Sequence, residues 1–253
     1  MTLSFLFMMN ITMSSRLIFL CSDDRLSRNH WIVMILIQLL GLTLFEPGIS
    51  LWLLLVFICV LNAILFFFDV RLKQSDLFRF IFLILYAVLF SIFFSPRISL
   101  NFNTQFLDQI RDWMKYSSIF SVVPKFGIYK LSLILFGLLL VSNEVNLLIR
   151  SCFHTFGLIS TKTSPRETKY LLKPVDTKEL NAGRVIGILE RIIMYSMILG
   201  GSAGSIGFVL AAKAFTRFRE LDERAFAEYI LVGTLLSTFF AVMVAYFVQV
   251  FLQ

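Results

Sequence analysis

Residues 49–68 read ISLWLLLVFICVLNAILFFF, twenty residues without a charged side chain. At a helical rise of about 1.5 Å per residue such a run covers about 30 Å, the thickness of the hydrocarbon core of a bilayer. It begins directly after Glu46-Pro47-Gly48, where proline and glycine force a tight reversal. A shorter apolar run, Trp31 to Phe45, lies before that turn. The pattern then repeats. Asp69, Arg71, Lys73, Asp76 and Arg79 make a polar connection to a third run, Leu77 to Phe94, and a fourth extends from Phe126 to about Leu148. The expected fold class is all-α, a polytopic transmembrane helical bundle with a broken-helix hairpin in its C-terminal third.

Composition points the same way. The chain of 253 residues is 58% hydrophobic and 15% charged, with a mean hydropathy of +0.84, whereas soluble domains carry about 25% charged residues. The net charge of +7 resides mainly in the connections between apolar runs, as expected for cytoplasmic loops beside anionic lipid head groups. No aromatic-basic motif accompanies it, so no nucleic acid is expected. Cys21, Cys59, Cys152, His30 and His154 are too scattered for a disulfide framework or a metal site, and no cofactor is implied. The start of the chain lacks the basic flank of a cleaved signal peptide, and residues 1–28 read as a peripheral N-terminal segment.

Residues 29–150 are expected to hold four transmembrane helices and an amphipathic helix near 102–116. Its apolar side would carry Phe102, Phe106, Ile110, Trp113 and Met114. Residues 151–182 read as a polar cytoplasmic linker, and 183–253 as a C-terminal membrane domain with a final helix over 225–252. Between them, 185–218 is apolar apart from a few charges and is interrupted by Gly200-Gly201-Ser202-Ala203-Gly204-Ser205. A simple crossing at 185–218 divides the loop lysines and arginines 13 inside and 9 outside, whereas a hairpin turning at the glycines divides them 17 and 5. The orientation rule for basic loops therefore favours the hairpin, with the N-terminus cytoplasmic in a bacterial inner membrane.

Ionisable groups inside a membrane are costly and become functional candidates by default. The charged membrane cluster comprises Glu144, Arg150, Glu190, Arg191, Lys213, Arg217, Glu220 and Glu228. Glu190 shares a helix face with Gly183 and Gly187, while Arg191 points about 100° away. The partner of Glu190 must come from another helix, and Arg150, Lys213 and Arg217 are the candidates. The pair would either pin the hairpin or relay a proton or ion. Gly233, Ser237, Ala241 and Ala245 form a small-residue seam on the last helix, and Ala203, Gly207, Ala211 and Ala214 a similar face before it. These faces suit packing on each other or on a second copy of the chain. Signatures of phosphate-loop, metalloprotease and serine-hydrolase chemistry do not occur in the sequence.

The segments GRVIGILER, SIGFVLAAKAFTRF and AEYILVGTLLSTFFAVMVAYF, within residues 183–247, resemble the C-terminal membrane region of an uncharacterised family of bacterial multi-pass membrane proteins, a domain of unknown function. The resemblance rests on Gly183, Gly187, Glu190, Arg191, Gly207, Phe208, Lys213, Arg217, Phe218, Glu228, Tyr229, Gly233 and Thr234. It implies a membrane fold and draws attention to the charged positions, without implying an activity. A polar helix containing His and Asp, frequent at the start of such proteins, has no equivalent here.

The expected function is a non-enzymatic, oligomeric membrane component that is pore-like or transmits a signal. Its expected partners are the lipid bilayer, further copies of itself and a cytosolic protein. The alternatives are a secondary transporter and a membrane enzyme acting on lipid head groups through Glu144, Glu190 or His154.

Overall fold

In the computed structural model the described residues are 2–21, 27–71, 75–98, 100–103, 105, 108–109, 112, 127–155, 177–216 and 224–252. Their elements in chain order are α1 (Leu3–Arg16), α2 (Ile18–Cys21), α3 (Arg28–Leu42), α4 (Ile49–Arg71) and α5 (Ser75–Phe93). There follow α6 (Ile128–Leu139), a π-helical turn (Leu140–Glu144), α7 (Val145–Thr155), α8 (Thr177–Leu199), a 3-10 turn (Ala203–Ser205), α9 (Ile206–Thr216) and α10 (Arg224–Leu252). The fold is an all-α bundle. Among the described residues the extended pairing is a lone antiparallel bridge between Phe45 and Phe102.

Five helical stretches of the described residues are long and apolar enough to cross a membrane: Leu3–Leu20, Ile49–Arg71, Asp76–Phe93, Ile128–Thr155 and Ile230–Leu252. They also turn large apolar side chains outward. Leu53, Val56, Phe57, Val60 and Phe67 of α4 are all exposed, and so are Leu231, Leu235 and Phe239 of α10. Lipid tails accept such a surface, whereas in water contiguous apolar patches of this kind drive association.

The chain divides into two compact units, Met1–Asn143 and Glu144–Phe251, which part inside the π-helical turn. This boundary falls within the fourth apolar run, not behind it at residue 150 as the loop pattern suggests. More than half of the expected amphipathic helix near 102–116 falls outside the described residues. Helix α7 covers residues 151–155 of the expected linker and α8 begins at Thr177, so the linker is helical at both margins. Residues 156–176 lie outside the described residues.

In the first unit the N-terminal segment differs most from the sequence reading. Instead of lying at the periphery, α1 packs against α3, α5 and α6. Thr2 caps it by accepting from the Phe5 amide at 3.3 Å. Leu6, Met9, Met13 and Arg16 are buried along one side, and Met8, Thr12 and Ser15 along another. A helix covered on several sides does not need lipid-grade hydropathy, because its polar groups find protein partners. The Asn10 amide donates to the Ser132 carbonyl of α6 at 2.9 Å.

Close approach of α1 to α3 depends on Gly41. A Cβ added there would lie 2.8 and 2.9 Å from the Cδ1 and Cγ2 atoms of Ile11. Gly41→Leu is therefore expected to destabilise the bundle by about 1–3 kcal/mol through overpacking, with recovery when Ile11→Ala is added. Thermal unfolding in detergent, followed by gel filtration, checks both variants.

In the second unit, α8 ends in Gly200 and in Gly201 at φ +76°, a left-handed conformation that glycine adopts without strain. The Gly200 and Gly201 amides close this end by donating to the Ser196 and Ile198 carbonyls. The chain then reverses through Ala203–Ser205 into α9, which packs back on α8. Val145, Ile149 and Phe153 of α7 form a separate core with Val232, Phe240 and Val244 of α10.

Candidate functional site

Among the described residues, charged and polar side chains gather in two places, one within each unit. In the second unit the hairpin α8–α9 brings Glu190 to Lys213, with Nζ to Oε2 at 2.5 Å and both side chains 16% exposed. Glu190 precedes the turn at Gly200–Ser205 by about as many residues as Lys213 follows it, so the reversal of the chain sets acid and base level on the two arms. The next residue, Arg191, is buried and directs Nη1 at 3.4 Å to the Ser237 hydroxyl of α10. Two adjacent residues about 100° apart on α8 thus bind different neighbours: Glu190 fastens the second hairpin arm, and Arg191 reaches the final helix.

The small-residue faces are divided differently from expectation. Gly233 is covered by Phe153, whose Cζ would lie 3.0 Å from an added Cβ, and Ser237, Ala241 and Ala245 are buried. Gly207 and Gly183 have open space where a Cβ would stand, and beside Gly187 an added Cβ would meet Arg191 of its own helix. At these two glycines the stripes do not meet, because the ring of Phe153 occupies Gly233 while Gly207 faces open space. Of the remaining charged candidates, Glu144 is buried at the end of the π-helical turn, Arg150 is half-buried on α7, and Glu228 is exposed on α10. Arg217 and Glu220 lie outside the described residues.

No family model, curated protein or solved structure matches the chain. The geometry alone must carry the functional reading.

The larger polar cluster lies in the first unit. Arg79 of α5, read from the sequence as a loop charge, is buried with Asp69 of α4: Nη2 and Nε reach Oδ1 at 2.7 and 2.8 Å. Asp76 adds a contact at 3.3 Å. Arg16 of α1, also buried, donates from Nη2 to the Arg79 carbonyl at 2.6 Å. Both guanidinium groups lie over the Phe19 ring, 5.2 and 4.6 Å from its centroid. The Asn143 side chain donates to the Arg16 carbonyl at 3.2 Å.

Deeper in the same unit, Gln38 of α3 donates to the Ser15 hydroxyl at 2.9 Å, and Asn62 of α4 donates to the Gln38 carbonyl oxygen at 2.7 Å. The signal for these two residues was present in the sequence, as single amides inside otherwise apolar runs. Arg16, Asp69 and Arg79 carried no such signal, because charges near the ends of apolar runs look alike whether they face water or protein.

Proposed function

We propose that the protein is an integral membrane component of a bacterial inner membrane that acts by assembly rather than catalysis, as a pore-lining or signal-transmitting element. Membrane integration is supported by the five long apolar helices and their outward apolar faces. The observation that carries the assembly reading is the state of the hairpin: Glu190 and Lys213 are engaged with each other, while Gly183 and Gly207 remain open. Open glycines on a lipid-facing helix let a second backbone approach closely.

The basic connections support an orientation. The contact of Arg16 with Arg79 puts the α1–α3 and α4–α5 connections at the same end of the first unit, and these basic ends belong on the cytoplasmic side. Counting α1 as a crossing supports a first residue on the opposite side, as an alternative to the expected cytoplasmic N-terminus.

Gly207→Cys, in a chain with Cys21, Cys59 and Cys152 replaced by Ala, is expected to form a disulfide-linked dimer in native membranes, whereas Gly233→Cys is not. Monomer alone from Gly207→Cys would exclude this assembly face. Reconstituted bilayers separate the two forms of the reading. A pore requires conductance that changes in the Glu190→Gln/Lys213→Gln double variant; a signalling element requires none, and a cytosolic protein binding the 151–182 connection.

A second reading, a secondary transporter, is favoured by the π-helical turn at Leu140–Glu144. It interrupts one helix just as Gly200–Ser202 interrupts another, and it carries the buried Ser142, Asn143 and Glu144. Such bulges occur often at functional sites, and broken helices supply binding groups in carriers. Proton-gradient-dependent uptake into vesicles would support it over the first reading.

A further inference from the structure

We infer that the first unit holds a bound water molecule deep in its helical core, between Asn62, Tyr86 and Thr12. The argument begins with helix register. The Ser15–Gln38 and Gln38–Asn62 hydrogen bonds set α1, α3 and α4 level at these residues. The Asp69–Arg79 pair sets the register of α5 against α4. Two turns back along α4 from Asp69 is Asn62, and two turns along α5 from Arg79 is Tyr86. In antiparallel neighbours these two residues arrive at one level.

At or within one turn of that level, several hydrogen-bonding groups have no protein partner among the described residues. Asn62 is fully buried, and its Nδ2 donates to Gln38 and to the Ile58 carbonyl at 2.7 and 2.9 Å, which uses both hydrogens. Its Oδ1, an acceptor, has no donor. The Tyr86 hydroxyl and the Thr12 hydroxyl are likewise buried and without a partner. Thr12 is one turn from Ser15, whose hydroxyl donates to the Thr12 carbonyl at 2.7 Å.

Leaving buried polar atoms unsatisfied is costly, and these three, within about one helical turn of one another along the bundle, are satisfied together by a molecule that both donates and accepts. The Asn62 oxygen requires a donor, which excludes a simple anion. The neighbouring Arg16 and the absence of a carboxylate among these three side chains disfavour a cation. Water satisfies the whole set: it donates to Asn62 and accepts from Tyr86, and buried waters in proteins typically make about three such bonds.

Hydroxyl-radical footprinting by X-ray radiolysis of the full chain in detergent tests this, because radicals form from water next to the side chain they label. Tyr195 is the control, the same side chain at the same 1% exposure. Tyr86 is expected to be labelled several-fold faster than Tyr195, and Asn62→Leu is expected to abolish the difference. Labelling of Tyr86 no faster than Tyr195 in the unaltered chain would overturn the inference, whether or not the variant folds. Unchanged rapid labelling of Tyr86 in a folded Asn62→Leu chain would overturn the assigned position.

Discussion

Arg79→Met is expected to lose about 3–5 kcal/mol of stability, because it leaves Asp69 as a buried charge without its guanidinium partner. Both side chains are almost completely enclosed, and the pair is bidentate on one carboxylate oxygen. Asp69→Leu should cost a similar amount for the converse reason. The Asp69→Leu/Arg79→Met double variant should recover much of the loss, since neither charge then has to be held inside the bundle. Unfolding in mixed micelles at rising denaturing-detergent fraction measures all three. Equal stability of Arg79→Met and the unaltered chain would show that this pair does not hold α4 to α5. The pair also carries the register on which the Asn62–Tyr86 level depends.

The second large effect is expected in the other unit. Lys213→Met should destabilise the hairpin by about 2–3 kcal/mol, the scale on which an uncompensated carboxylate is penalised in a membrane helix. Adding Glu190→Gln should restore most of it, because an amide in that place carries no charge to compensate. Arg191→Met differs in kind: it removes the link to Ser237 of α10 while leaving the hairpin pair in place. Cysteine crosslinking between α8 and α9, read beside thermal stability, distinguishes the two losses. A Lys213→Met chain as stable as the original would remove the structural role of the pair.

These pairs mark where sequence reasoning reaches and where it stops. The apolar runs at 49–68, 77–94 and 126–148, the break at the glycines after Leu199 and the need of Glu190 for a partner on another helix can all be read from residue order. Each depends on local chemistry: apolar length, a left-handed glycine, a carboxylate that cannot stay bare. Lys213 stood among three possible partners, and only the reversal of the chain at Gly200–Ser202 brought it level with Glu190.

The N-terminal helix lay beyond that reach. Asn10, Thr12, Ser14 and Ser15 make its sequence look peripheral, yet within the first unit Asn10 meets Ser132 and Ser15 meets Gln38. The small-residue stripes were equally ambiguous, since a face of glycine and alanine accepts any close neighbour. Phe153 filled one and left the other open.

Amino-acid order by itself determined that this chain is helical, how long its apolar segments are and where they break, because those properties depend on neighbours a few residues apart. Tertiary structure alone decided which charges are enclosed, which glycines are covered and that α1 belongs to a core. A polar side chain has no fixed cost until the groups that surround it are in place, and those groups come from distant parts of the chain.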